Sequence, residues 1–288
     1  FDCDWRGDWE LDTLRMGSVD SVLVNLPRLT YECEGGNSKF FELLDEQLEM
    51  AVRALEIKYH TVKLRGKEGL LPFLTHRAAD EQYARFENFT RIIGFVGLPE
   101  AVESLGGAPL YNDAKSIGLA EQIATHVNDY VKERAKKPES RPVAAMVPSA
   151  NAARRLALLD VERYGWAKVH VRGTKDQPFY TDLVAVPAEA KITLDQRLKI
   201  EDQIQQLTPG GHFTPIQVNE DCDRLLAISK KLVSEGSLGL YSFSHTLTYC
   251  SQCKKIVPDQ PTKCPSCGSV KALTSYNRIS AKYEAVAS

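Results

Sequence analysis

The pattern Cys250-x-x-Cys253, ten residues, then Cys264-x-x-Cys267 constrains this chain more than any other feature. Two residues between cysteines let both sulfurs reach one ion from a tight knuckle. Two such knuckles complete a tetrahedral thiolate cage, the arrangement that structural zinc prefers. Pro258 and Pro261 suit a hairpin-like linker, and Gly268 can relieve the backbone after the second knuckle. Four thiolates leave no open coordination position, so a catalytic zinc is not expected. A redox dithiol or an iron centre would use the same ligands, and these are the competing readings. A ribbon of this kind can also bind nucleic acid. Lys254, Lys255, Lys263 and Lys271 with Tyr249 as the sole nearby aromatic fit a solvated basic surface better.

Cys3, Cys33 and Cys222 bring the cysteines to seven. An odd number, with four in close pairs, favours metal binding in a reducing compartment over a secreted disulfide framework. A cytoplasmic protein is therefore expected. There is no signal peptide and no uncharged apolar run of about 18 residues, so no membrane span is expected. The formal charge of −2 argues against a chain held mainly by phosphates or an anionic membrane. Hydrophobic residues at 43% support a sizeable core. The chain opens on Phe1-Asp2-Cys3-Asp4-Trp5 without an initiator Met, which reads as a piece of a longer protein.

Before the cysteine module, short apolar runs alternate with helical periodicity. Strands are expected at 22–26, 143–147, 167–171, 182–186 and 213–218, and 91–98 reads as a buried strand or a glycine-punctuated loop. Pro27 should end the first of these or hold its edge. Helices are expected from Asn37 or Ser38, from Pro99, and over 115–136, 151–164, 193–207 and 221–234. The alternation predicts an α/β fold with a mostly parallel sheet. The composition changes near Gly236-Ser237-Leu238-Gly239. Two units follow: residues 1–240, and residues 241–288 with the cysteine module.

Several segments resemble one family in their order along the chain. Val22-Leu23-Val24-Asn25-Leu26-Pro27-Arg28-Leu29 resembles the Leu-Asn-Leu-Pro-Arg segment of anaerobic (class III) ribonucleoside-triphosphate reductases. Phe40-Phe41-Glu42-Leu43-Leu44-Asp45-Glu46 resembles the helix that follows it. Ile93-Gly94-Phe95-Val96-Gly97-Leu98-Pro99-Glu100 is similar to the family's Ile-Gly-x-x-Gly-x-x-Glu. Pro178-Phe179-Tyr180-Thr181 is similar to its Pro-Tyr-Tyr-Thr. Gly210-Gly211 with a strand and Glu220, the cysteine quartet, and Tyr276-Asn277-Arg278-Ile279-Ser280 complete the series.

The resemblance implies the C-terminal half of a glycyl-radical-type ten-stranded α/β barrel, followed by the zinc ribbon. It implies reduction of ribonucleoside triphosphates to 2′-deoxyribonucleotides. An S-adenosylmethionine iron–sulfur activase would generate a glycyl radical. The radical would pass to a cysteine, and that thiyl would take the ribose 3′ hydrogen. Formate or a thioredoxin-type system would supply electrons, and a homodimer is expected. Cys3, 22 residues before Asn25, falls near the family's thiyl cysteine; an ordinary cysteine is the alternative. Asn25 resembles the asparagine that positions formate, the alternative being an Asn satisfied by its own neighbourhood. Ser149 and Asn151 lie where the family has a Thr-Pro-Ala-Glu-Ser type turn, a phosphate site at a helix start. The turn here lacks the glutamate, which favours simple N-capping.

The chief departure is at the radical motif, Arg-Val/Ile-x-Gly-Tyr in the family. Ala281 stands at the expected glycine. Its methyl group would crowd a planar radical, so this form is expected to be radical-dead. Two other functions compete: a zinc-ribbon module for nucleic acid or protein, and another glycyl-radical enzyme acting on a small organic acid.

Overall fold

The computed structural model describes residues 17–33, 36–78, 81–136, 141–218, 222–236, 238–278 and 283–285. Its centre is a parallel sheet of β1 (Gly17–Asn25), β2 (Phe89–Val96) and β3 (Pro142–Ala145), in that spatial order. β2 is buried on both faces over nearly its whole length. Its continuous apolar run is what a covered parallel strand requires.

The sheet edge continues beyond β3. Gly210 donates to the Ala144 carbonyl at 2.8 Å, and Met146 donates to the Gly211 carbonyl at 2.7 Å. The chain then enters β4 (Thr214–Gln217), which pairs in parallel with β5 (Tyr241–Ser244). The fold is α/β, as expected. No closed barrel forms among the described residues.

Helices fill the crossovers. After β1 come α1 (Leu26–Glu32) and the long α2 (Asn37–Lys67). After β2 come α3 (Leu98–Gly106) and α4 (Ala114–Ala135). α5 (Ala150–Tyr164) follows β3, α6 (Leu194–Gln205) precedes β4, and α7 (Cys222–Glu235) links β4 to β5. Phe40, Leu44, Leu48, Ala51 and Leu55 form the inner stripe of α2. They join Ile93 and Phe95 of β2 and Ile123 and Val127 of α4 in the main core. No helix among the described residues is long and apolar enough to cross a membrane.

Three local expectations need correction. Pro27 does not hold a strand edge; it opens α1, where a missing N–H costs nothing. The cap of α2 is Gly36, without a side-chain hydrogen bond, rather than Asn37 or Ser38. Residues 167–171 and 182–186 form no strands. The second of these segments is fully buried, and its backbone groups are satisfied by side chains.

Gly97 joins two of the motif segments. Its φ is +75°, and a Cβ there would lie 2.3 Å from Pro27 Cγ. Gly97→Ala therefore combines left-handed backbone strain with a clash against a rigid ring. A loss of roughly 2–4 kcal/mol is expected in chemical denaturation. A loss within experimental error would mean that α1 can slide away from α3.

The last described part is a separate antiparallel sheet. β6 (Leu247–Cys250) lies between β7 (Lys255–Pro258) and β8 (Leu273–Arg278), and β9 (Tyr283–Ala285) pairs with β8.

Candidate active site and metal centre

Each Cys-x-x-Cys pair makes the same turn. Lys254 donates to the Cys250 carbonyl and Gly268 to the Cys264 carbonyl, both at 2.8 Å. The residue after each knuckle is left-handed: Lys254 at φ 58° and Gly268 at φ 74°. The glycine was legible as a relief point; the lysine in the same role was not. The two turns bring the four Sγ atoms within 4.8 Å of one another. Cys250 and Cys267 sulfurs lie 3.7 Å apart, and Cys253 and Cys264 sulfurs 3.6 Å. A tetrahedron with metal–sulfur bonds of about 2.3 Å has edges of about 3.8 Å. The donor set therefore fits one tetrahedral metal ion.

Burial opposes ionisation of Cys264, but the Cys267 and Ser266 amides hold its thiol down to about 7. At Cys267 the Ser269 amide pulls the other way, yet burial and the neighbouring sulfurs push the thiol up to about 12. Four crowded sulfurs cannot all carry charge without a cation between them.

The sheet of this module docks on the strand ends of the α/β unit. Thr246 Oγ1 donates to Asn277 Oδ1 at 2.7 Å and accepts from Gln217 Nε2 at 3.0 Å. The Arg278 guanidinium stacks over Phe213 at 4.7 Å. Between the two units lies a cavity of about 280 Å³, bordered by Val186, Arg197, Glu201, Gln217, Asn277 and Arg278.

Other motif residues gather where the parallel strands end. Asn25 is the last residue of β1 and the cap of α1; its Oδ1 accepts from Arg28 N at 3.4 Å. Its Nδ2 donates to Asp160 Oδ2 at 2.7 Å. Tyr180 donates to the same oxygen at 2.8 Å, and Arg28 Nε donates to Asp160 Oδ1 at 2.7 Å. Burial is the main cause that pushes the Tyr180 hydroxyl far above its ordinary range, so it stays a donor.

A second carboxylate ties the Gly97 segment to the next motif. Glu100 is fully buried. It accepts from Thr181 Oγ1 at 2.6 Å, Thr181 N at 3.2 Å and Arg172 Nε at 2.9 Å. Gly97 N donates to the Thr181 carbonyl at 2.8 Å. The residues that follow are fixed in turn. Asp182 accepts from Ser149 N at 2.5 Å, and Glu201 accepts from the Ala185 and Val186 amides. Glu201 also pairs with His212 at 2.7 Å, with both side chains fully buried. This network holds a buried irregular segment, 181–186, between the ends of β2 and β3.

Ser149 is the cap residue of α5, but its amide and hydroxyl both turn to Asp182. Asn151 is exposed in the first turn. Cys3, Glu220 and Ala281 lie outside the described residues. Asp160, Asp182 and Glu201 carry no motif signal. Glu100 does, as the last residue of the Ile-Gly-x-x-Gly-x-x-Glu pattern.

A family model described as anaerobic ribonucleoside-triphosphate reductase matches residues 3–286. The anaerobic ribonucleoside-triphosphate reductase of Salmonella typhimurium (strain LT2) is 28% identical over 208 residues, and that of Escherichia coli (strain K12) is 27% identical over 206. Each alignment covers 66% of this chain and 28% of the relative. The anaerobic ribonucleotide reductase from Thermotoga maritima, in a crystal structure with glycerol in the active site, has a TM-score of 0.76 at 20% identity. The match covers 94% of this chain and 42% of that one. Its complex with dATP and CTP gives 0.75 at 19% identity, covering 94% and 43%. The chain thus spans under half the length of the relatives it matches, and it shares their fold.

Proposed function

This chain belongs to the anaerobic ribonucleoside-triphosphate reductase family, and from that premise we propose that it is the C-terminal catalytic part of such an enzyme. The reaction is reduction of ribonucleoside triphosphates to 2′-deoxyribonucleoside triphosphates. The observation that carries the reading is the convergence of separate motif segments on one set of parallel strand ends. Asn25, Glu100 with Thr181, and Ser149 with Asp182 all meet there. In an α/β fold that is where substrates bind.

In this reading β1 to β4 and their helices belong to one half of a ten-stranded barrel. Residues 1–240 form that half, and residues 241–288 form the cysteine module. β5 is the strand by which the module joins β4. The cage holds structural zinc. Its place, 14 residues before residue 281, suits an anchor for the loop that reaches the barrel. Hydrogen bonds from Gln217 to Thr246 and from Thr246 to Asn277 support that anchoring.

Asn25 meets the reductant, formate, or stands beside the path of a thioredoxin-type system. Ser149 and Asn151 flank the phosphate side of the substrate, with Asp182 competing for the Ser149 amide. When present, the glycyl radical made by the S-adenosylmethionine iron–sulfur activase supplies hydrogen-atom chemistry, with Cys3 as its relay. The protein positions these groups and excludes water. The enzyme is assigned to the cytoplasm and to a homodimer.

Two measurements test the reading. Ribonucleoside triphosphates should raise the melting temperature more than single-stranded DNA does; the reverse order would favour a nucleic-acid module. After anaerobic activation, Ala281→Gly should give a doublet electron paramagnetic resonance signal, and the Ala281 parent none. A signal in the parent split by the methyl protons of Ala281 would show that alanine does carry the radical.

A further inference from the structure

Asp160 lies within α5 and exposes none of its side chain, yet it gathers three donor residues from two other segments. Arg28 reaches Oδ1 through Nε at 2.7 Å and Nη2 at 2.5 Å. Asn25 and Tyr180 share Oδ2. A charged acceptor buried among one cation and two neutral donors makes short, strong hydrogen bonds.

The consequence falls on Asn25. A carboxamide has one acceptor oxygen and two N–H donors. Here the oxygen caps α1, and one N–H is spent on Asp160. Asn25 is only partly buried, so the second N–H is what it can offer a ligand. Turning the amide over would set its oxygen against the Asp160 carboxylate, acceptor against acceptor. It would also set an N–H against the Arg28 amide, donor against donor.

We infer that Asp160 is a positioning residue: it locks the Asn25 carboxamide with a donor outward, so that this point of the site accepts only a hydrogen-bond acceptor such as a small carboxylate. The inference rests on the reading above that Asn25 meets the reductant. Asp160 itself touches no ligand. It acts through Asn25, and Arg28 balances its charge.

Side-chain amide NMR of the whole 288-residue chain, labelled with ¹⁵N-asparagine, tests this. Sodium formate is titrated against sodium chloride at equal ionic strength, with ATP in a parallel series. In the unmodified chain one Asn25 Nδ2 proton should resonate downfield and exchange slowly, and formate should move the other. Asp160→Asn should abolish the downfield signal and weaken formate binding roughly tenfold or more. Tyr180→Phe, which leaves the Asp160–Asn25 bond in place, should keep that signal and an affinity within about twofold.

A folded Asp160→Asn chain with unchanged formate affinity overturns the inference. So does an unmodified chain in which formate moves neither Asn25 proton, or both alike, a result that does not depend on the variant folding. If ATP shifts no amide signal while formate still moves the one Asn25 proton, the nucleotide reading fails and the positioning role stands.

Discussion

Stripping metal from the Cys250, Cys253, Cys264 and Cys267 cage is expected to unfold the sheet of β6, β7 and β8 while the parallel sheet stays folded. The module has almost no apolar core of its own. From Leu247 to Arg278 the buried side chains are Thr248, Cys250, Val257 and Cys264, two of them ligands. Ile256 and Val270 are each 66% exposed. Ordering a residue costs about 1–2 kcal/mol of backbone entropy, which so little burial cannot offset. Zinc bound by four thiolates contributes on the order of 10–16 kcal/mol to small domains of this type. Metal binding and folding of the module are then one equilibrium.

Hydrogen exchange read on β6 and β8 checks this. A chelator, or Cys264→Ser, should remove protection there and leave β2 protected, and mass spectrometry should find one zinc per native chain. The docking bonds of Asn277 and Arg278 should be lost in the same step, since both residues lie on β8. Persistent protection of β6 and β8 without metal would mean that the sheet folds without its ion.

The cage was readable from the sequence because its chemistry is local: two knuckles and a hairpin need only spacing. The helices were readable where one face is apolar, as in α2. Periodicity fails at α5. Leu158 and Leu159 are 49% and 40% exposed, while Asp160 between them and the next turn is fully buried. Nothing local marks that aspartate. Its partners lie at Asn25, Arg28 and Tyr180, and only the fold brings them together.

The segment 182–186 misleads for a related reason. Asp-Leu-Val-Ala-Val reads as a buried strand because it is buried. A strand, however, would take its hydrogen bonds from a neighbouring strand. Here Glu201 receives two of the amides, Arg197 donates to the Val186 and Pro187 carbonyls, and Leu183 turns at φ 69°. Side chains from α6 replace the ladder. Apolar composition reports burial, and it does not report who satisfies the backbone.

Glu100→Ala is expected to destabilise the α/β unit strongly. The carboxylate is fully buried and serves three donors at once: the Thr181 hydroxyl, the Thr181 amide and Arg172. Breaking a buried ion pair from one side costs about 3–5 kcal/mol, most of it from the stranded charge. Arg172 is not left alone, since Glu103 remains at 2.9 Å and Glu189 at 3.6 Å. The lower end, about 3 kcal/mol, is therefore expected at neutral pH.

The pH dependence separates burial from attraction. Burial pushes the Glu100 carboxyl above its ordinary range, although Arg172 and Thr181 pull it down. The native state then holds the proton more tightly than the unfolded chain does. That contribution is complete below the unfolded value of about 4.3 and is lost as pH rises through the folded value. The deficit of Glu100→Ala, measured by urea denaturation, should be larger at about pH 4 than at about pH 8. A deficit that grows with pH would mean that the pull of Arg172 exceeds the cost of burying the charge.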